Sequence, residues 1–201
     1  MIKIGIILGS TRPKRNGPQV ADWVVETAAR RGDAEFELID LADHPLPHLD
    51  EAVAPMFGPS AHEHTRAWAA RIAPFDGFVI VTPEYNHSAP GVLKNAIDHI
   101  FAEWVNKAVG FVSYGAGGGV LAVEHLRTIC GVLGMADVSR QVSISVLTDF
   151  LNYTEFVPTE RHTAALHAML DQLIAWSTAL APLRHIEGVE YEDAEQLSVT
   201  H

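Results

Sequence analysis

The chain has one cysteine, Cys130, so no disulfide can form within it and the fold must be held by packing. Cys130 sits in the apolar stretch "LRTICGVLG" and reads as a small buried hydrophobe. Long apolar runs are missing too. The longest stretch without a charged residue, 108–123, is 16 residues and broken by glycines. That falls short of the roughly 20 apolar residues a membrane helix needs. The apolar start "MIKIGIILGS" is short and runs straight into a basic loop, so it reads as a strand and not as a leader. A soluble, cytoplasmic protein is expected.

Positive charge is scarce, with 14 Lys and Arg against 25 Asp and Glu and a net charge of −11. Such a balance argues against nucleic acid as a partner, because affinity there depends on neutralising many phosphates. Two familiar phosphate signatures are also absent. Neither G-x-G-x-x-G nor G-x-x-x-x-G-K-[ST] occurs, which argues against a dinucleotide fold of the usual kind and against an NTP-hydrolysing P-loop.

What is present is a large apolar fraction, 48%, ample for one packed core, with too few charges (19%) for a disordered chain. Short continuous apolar runs, "IKIGIILG", "EFELIDL", "FDGFVIVTP", "KAVGFVSYG" and "VSRQVSISVL", read as strands. Between them lie stretches of helical period, "PQVADWVVETAARRG", "AHEHTRAWAARIA", "PGVLKNAIDHIFAEW" and "VLAVEHLRTICGVLG". A long helix follows near 159–183. Buried parallel strands need crossovers, and helices supply them, so the fold class is α/β and doubly wound. The domain spans 1–184, and an acidic tail occupies 185–201. The segment 42–60 carries four prolines and no period, and reads as a long loop.

The scarce positive charge is concentrated. Residues 1–31 hold six basic and two acidic side chains, and three of the basic ones fall in "GSTRPKRNG" after the first strand. Ser10, Thr11, Arg12 and Arg15 there precede a helix N-terminus, a combination suited to a terminal monophosphate. An ordinary solvated basic turn is the other reading. Two further loops follow strands, "TPEYNHSAPG" and "SYGAGGG". In open α/β sheets ligands lie beyond the carboxyl ends of the strands, where these three loops fall. Tyr85 can stack on a planar ligand, and Asn86 can both donate and accept. The glycine cluster lets backbone amides converge.

Taken together, "GSTRPKRNG", "TPEYNHSAPGVLKNAIDHI" and "SYGAGGG" resemble the NADPH-dependent FMN reductase family of flavodoxin-like proteins. The resemblance covers roughly residues 1–180. It implies a three-layer sandwich around a five-stranded parallel sheet of order 2-1-3-4-5, with FMN bound noncovalently. Ser10, Arg12, Arg15 and Asn16 then match the phosphate loop. Pro83, Glu84, Tyr85 and Asn86 match the loop at the flavin edge. Ser113, Gly115, Gly117 and Gly118 match the loop on the other side of the ring. The first loop lacks the later serine of the family's "GSxRxxSxN" pattern. NADPH or NADH supplies the hydride, a flavin, quinone or similar aromatic accepts it, and a homodimer or homotetramer is implied. No side chain need act as acid or base. A flavodoxin-type FMN carrier without small-molecule turnover is the alternative function.

No metal site is expected. His62 and His64 look like ligands, but an i,i+2 pair on a helix points to different sides. His44 and His48 read as surface residues of the long loop. Lys94 and Asp98 read as a structural i,i+4 pair. Trp23, Trp68, Trp104 and Trp176 read as helix packing, with Trp104 at a subunit contact.

Overall fold

A computed structural model describes residues 1–58 and 60–185; the acidic tail lies, from residue 186 on, outside the described residues. Five strands form one sheet: β1 (Lys3–Leu8), β2 (Glu35–Asp40), β3 (Gly77–Pro83), β4 (Ala108–Gly115) and β5 (Ala136–Ser145). All neighbours are parallel, in the order β2-β1-β3-β4-β5. This is the expected class and order. The chain steps from β1 to β2 on one side, then crosses back to β3 on the other. The reversal opens a crevice between the loops after β1 and β3.

Side chains alternate across the sheet, because successive Cβ atoms in a strand point to opposite faces. Ile4, Ile6, Leu8, Val79, Val81 and Val112 face α1 (Gly17–Ala29) and α5 (Glu160–Leu180). Ile7, Phe78, Ile80, Val109 and Phe111 face α2 (Glu63–Ile72), α3 (Gly91–Asp98) and α4 (Val120–Val132). With both faces covered, the strands need no polar alternation, which is why they read as continuous apolar runs. From α5, Leu166, Met169, Leu170 and Leu173 are fully buried. Burial of such a side chain contributes about 1.5–3 kcal/mol. Among the described residues no helix is long and apolar enough to cross a membrane.

Three departures from expectation have physical causes. First, α3 stops at Asp98 although its apolar pattern runs on to Trp104. Its last carbonyls are taken by side chains: Asn95 O accepts from His99 Nδ1 (2.8 Å), Ala96 O from Trp68 Nε1 (2.7 Å) and Ile97 O from Trp104 Nε1 (3.1 Å). Asn95 O also accepts the last helical bond, from His99 N (3.3 Å), while the two indole bonds satisfy carbonyls that another helical turn would otherwise have used. Trp104 is therefore not a subunit contact. It is 2% exposed and packs edge-on against Phe78, with ring centroids 5.0 Å apart. Trp176, in contrast, is 39% exposed.

Second, β5 is longer than its apolar core. The register jumps between Val109↔Asp137 and Phe111↔Gln141, and the bulged residues are held by Arg127, which pairs with Asp137 and donates to Val138 O (2.8 Å). Third, a small antiparallel hairpin, β6 (Phe150–Leu151) with β7 (Glu155–Phe156), lies in a stretch without a strand-length pattern. Asn152 and Tyr153 at its tip both have positive φ. The hairpin leans on α1: Gln19 Nε2 donates to Thr154 O (2.7 Å), and Gln19 Oε1 accepts from Phe156 N (3.0 Å).

Cys130 is buried as expected, and burial, reinforced by Asp137, pushes its thiol up to about 12. The thiolate is the reactive form, so an aromatic disulfide reagent at pH 8 should label no thiol in the folded protein and one after denaturation. Stoichiometric labelling of the native protein would show that this face of α4 opens.

Candidate flavin site at the strand carboxyl ends

The three glycine-bearing loops meet above the carboxyl ends of β1, β3 and β4, and side chains tie them together. Ser10 Oγ and Tyr85 Oη are 2.9 Å apart, joining the first loop to the second. Glu84 Oε2 accepts from Leu121 N (3.1 Å), joining the second to the start of α4, where a carboxylate also suits the helix dipole. Glu84 N donates to Tyr114 O (3.0 Å), and His125 Nδ1 lies 2.9 Å from Ser88 Oγ. The result is a braced shelf that a ligand does not have to organise.

In the first loop the expected residues divide. Arg12 is exposed and has no ion-pair partner among the described residues. Arg15 is engaged: its guanidinium pairs with Asp40 at the end of β2, which also accepts from Ala42 N (2.9 Å). Asn16 occupies the N-cap position of α1 but makes no capping bond; its amide donates to Tyr153 O (2.8 Å) on the hairpin. Ser10 is wholly buried, its hydroxyl shared between Tyr85 and the Arg12 amide (3.4 Å). Arg15, Asn16 and Ser10 therefore fix the loop, while Arg12 faces outward and the start of α1 carries no side-chain cap. Those two features suit an anion.

The second loop is tighter than its sequence suggests. Tyr85 N donates to Ser88 O (2.9 Å) and Ser88 N to Tyr85 O (3.1 Å), while Asn86 and His87 between them both have positive φ. That is the geometry of a two-residue primed turn, which Asn favours at its first position. Pro83 is buried at the end of β3; Asn86 and His87 are exposed at the tip.

In the third loop the expected ligands again divide. Ser113 is 0% exposed and donates to Gly118 O (2.7 Å), to which Ser143 Oγ also donates (3.0 Å). Ser113 is thus a brace that turns this carbonyl inward. Gly115 O accepts from Gly118 N (3.1 Å), closing a turn over Ala116 and Gly117. Both of these residues are exposed, and their amides donate to no backbone acceptor among the described residues. A Cβ built on Gly117 meets nothing within 4 Å. Free amides at the lip of an open shelf fit the electron-rich edge of a flavin ring.

Two contributors escaped the sequence analysis. Gly119, not Gly118 alone, is needed at the turn into α4: φ is +73°, and a Cβ would stand 2.7 Å from Ser113 Cβ and 2.9 Å from Tyr114 N. Its place as the last glycine of the cluster, directly before a helix, was the available signal. Tyr114 lies beneath the first loop beside Gly17, with a buried hydroxyl that makes no hydrogen bond of good geometry among the described residues. Burial, and then the neighbouring Tyr85, push its phenol well up, so it stays neutral. An orphaned neutral donor below a basic loop also fits an anion close by.

Comparison with known proteins agrees with this geometry. The sequence profile of the NADPH-dependent FMN reductase family matches residues 2–149, a span containing all three loops. An NAD(P)H-dependent FMN reductase of Schizosaccharomyces pombe is 44% identical over 135 residues, covering 66% of this chain and 68% of that protein. A 2-hydroxy-1,4-benzoquinone reductase of a Burkholderia species is 30% identical over 183 residues, covering 87% and 96%. Among solved structures, the flavoenzyme NAD(P)H:(acceptor) oxidoreductase FerB of Paracoccus denitrificans superposes with a TM-score of 0.70, at 23% identity and with coverage of 89% and 98%, and so shares the fold. The chain belongs to the NADPH-dependent FMN reductase family.

Proposed function

We propose that the braced shelf holds FMN, with the phosphate on Arg12 and the first turn of α1 and the ring between residues 83–86 and 115–118. The chain is an FMN-dependent NAD(P)H oxidoreductase by family. When bound, FMN would supply the hydride chemistry that links NAD(P)H to an acceptor. The protein's part is placement. Ser10, Tyr85, Glu84 and Ser113 hold the three loops in register, and the Ala116 and Gly117 amides would donate to the cofactor. The open lip beside Gly117 would leave room for the nicotinamide, and then the acceptor, to reach the bound cofactor.

The acceptor is a small oxidised aromatic, a quinone or a free flavin. The Burkholderia relative, by its name a benzoquinone reductase, supports the first. A cytoplasmic homodimer or homotetramer is the proposed working form, and 1–184 the domain that carries the site. The single observation that carries the reading is the cross-tie of all three loops into one shelf, with the Ala116 and Gly117 amides at its lip donating to no backbone acceptor among the described residues.

The test begins with the visible spectrum of the purified protein before and after FMN is added. A bound-flavin spectrum that bleaches with NADPH and recovers with a quinone, turning over repeatedly, is expected. Folded protein that ignores saturating FMN would overturn the assignment of the shelf. Bound flavin without turnover on any acceptor would favour an electron carrier.

A further inference from the structure

A cluster of potential metal ligands lies apart from the flavin shelf, where the loop after β2, the start of α2 and the end of α3 converge. His62 and His64 do not point apart, because His62 is not in the helix. It is the extended N-cap residue of α2 (φ −92°, ψ 140°), and the two rings stack with centroids 5.2 Å apart. His64 then meets His99 edge-on, with centroids 5.9 Å apart. Its Nε2 lies 3.1 Å from Asp50 Oδ1.

His99 carries the argument. The residue is 1% exposed. Its Nδ1 is 2.8 Å from Asn95 O, and a carbonyl only accepts, so Nδ1 bears the proton and Nε2 presents a lone pair. Among the described residues, that buried Nε2 has no hydrogen-bond partner. A histidine whose Nδ1–H is held by a backbone carbonyl while Nε2 stands free is oriented as metal-binding histidines are. Ligand atoms of Asp50, His64 and His99 all lie within 4.8 Å of one another. A tetrahedral zinc ion, with ligands at about 2.0–2.2 Å, needs them about 3.3 Å apart, a closure within reach of small side-chain rotations.

Asn95 sets both halves of the cluster. Its carbonyl fixes the His99 ring, while its side chain accepts from Leu49 N (3.0 Å) and donates to Pro47 O (2.7 Å), anchoring the loop that carries Asp50. Asp50 also belongs to a second group with Glu51 and His62, whose ligand atoms likewise lie within 4.8 Å of one another. Glu51, His62 and His99 line a cavity of about 760 Å³, which contains none of the residues of the flavin shelf.

We infer that Asp50, His64 and His99 form a binding site for a divalent transition metal of the zinc type, with Asn95 as its positioning residue. Two imidazoles and one carboxylate suit zinc better than calcium or magnesium, which prefer all-oxygen shells. The site goes beyond the flavin chemistry and does not depend on it.

The test uses untagged, FMN-loaded protein, stripped with a chelator and titrated with zinc against a competing indicator dye. The expected result is one zinc per chain and a zinc-dependent rise in melting temperature. His64→Ala, a half-exposed position that should fold normally, and His99→Ala should each abolish both. Asn95→Ala keeps the carbonyl that holds His99 but releases the loop that carries Asp50, and should weaken zinc binding about tenfold while leaving one zinc per chain at saturation. His48→Ala, exposed and outside the cluster, should change neither. Absence of stoichiometric zinc in the wild type would overturn the site, as would equal uptake by the wild type and His64→Ala.

Discussion

Arg12→Ala should weaken FMN binding about ten- to a hundredfold, the equivalent of about 1.5–3 kcal/mol for a hydrogen bond to a charged group. Titration of flavin-free protein with FMN, followed by flavin fluorescence, reads the change directly. Melting temperature should not move, since Arg12 is exposed and unpaired among the described residues, and such surface changes stay within about 0.5 kcal/mol. Arg15→Ala is the informative contrast. Its guanidinium is already committed to Asp40, so its loss should loosen the junction between the first loop and β2 and cost FMN less than Arg12→Ala does. An unchanged dissociation constant in Arg12→Ala would remove the phosphate assignment.

The division between Arg12 and Arg15 marks the limit of what was legible in the sequence. Motif position placed both arginines, Ser10 and Asn16 in one loop, and the structure does the same. Which side chain faces outward depends on partners distant in sequence: Asp40 for Arg15, Tyr153 for Asn16 and Tyr85 for Ser10. Ser113 was read as a ligand for the same reason, although strand alternation and the Gly118 carbonyl turn it inward. The sheet was legible because strands covered on both faces leave an uninterrupted apolar signal. The hairpin β6–β7 was not, because two-residue strands carry no period. The end of α3 was hidden too, since Trp68, from another helix, and Trp104, from beyond its end, take two of its last carbonyls. The stacking of His62 on His64 turned on a single residue's backbone, the N-cap, where helical spacing no longer applies.

Replacing the glycines of the third loop one at a time separates binding from folding. Gly117 has no positive φ, and its Cβ would enter open space. Gly117→Val should therefore leave the melting temperature near the wild-type value, yet fill the lip where the ring must lie and abolish the bound-flavin spectrum. Gly119 sits at φ +73° with Ser113 Cβ 2.7 Å and Tyr114 N 2.9 Å from any added Cβ. Neither neighbour can yield, because one atom is backbone and the other belongs to a side chain pinned to Gly118 O. The left-handed conformation costs a branched residue about 1–2 kcal/mol, and overpacking adds about 1–3 kcal/mol. Gly119→Val should thus lower stability by about 2–5 kcal/mol in urea unfolding and lose flavin as a consequence. The two variants share the loss of flavin and differ in stability. A normal flavin spectrum in Gly117→Val would show that the ring does not lie over this loop. An unchanged unfolding midpoint in Gly119→Val would show that the turn into α4 is not held as described.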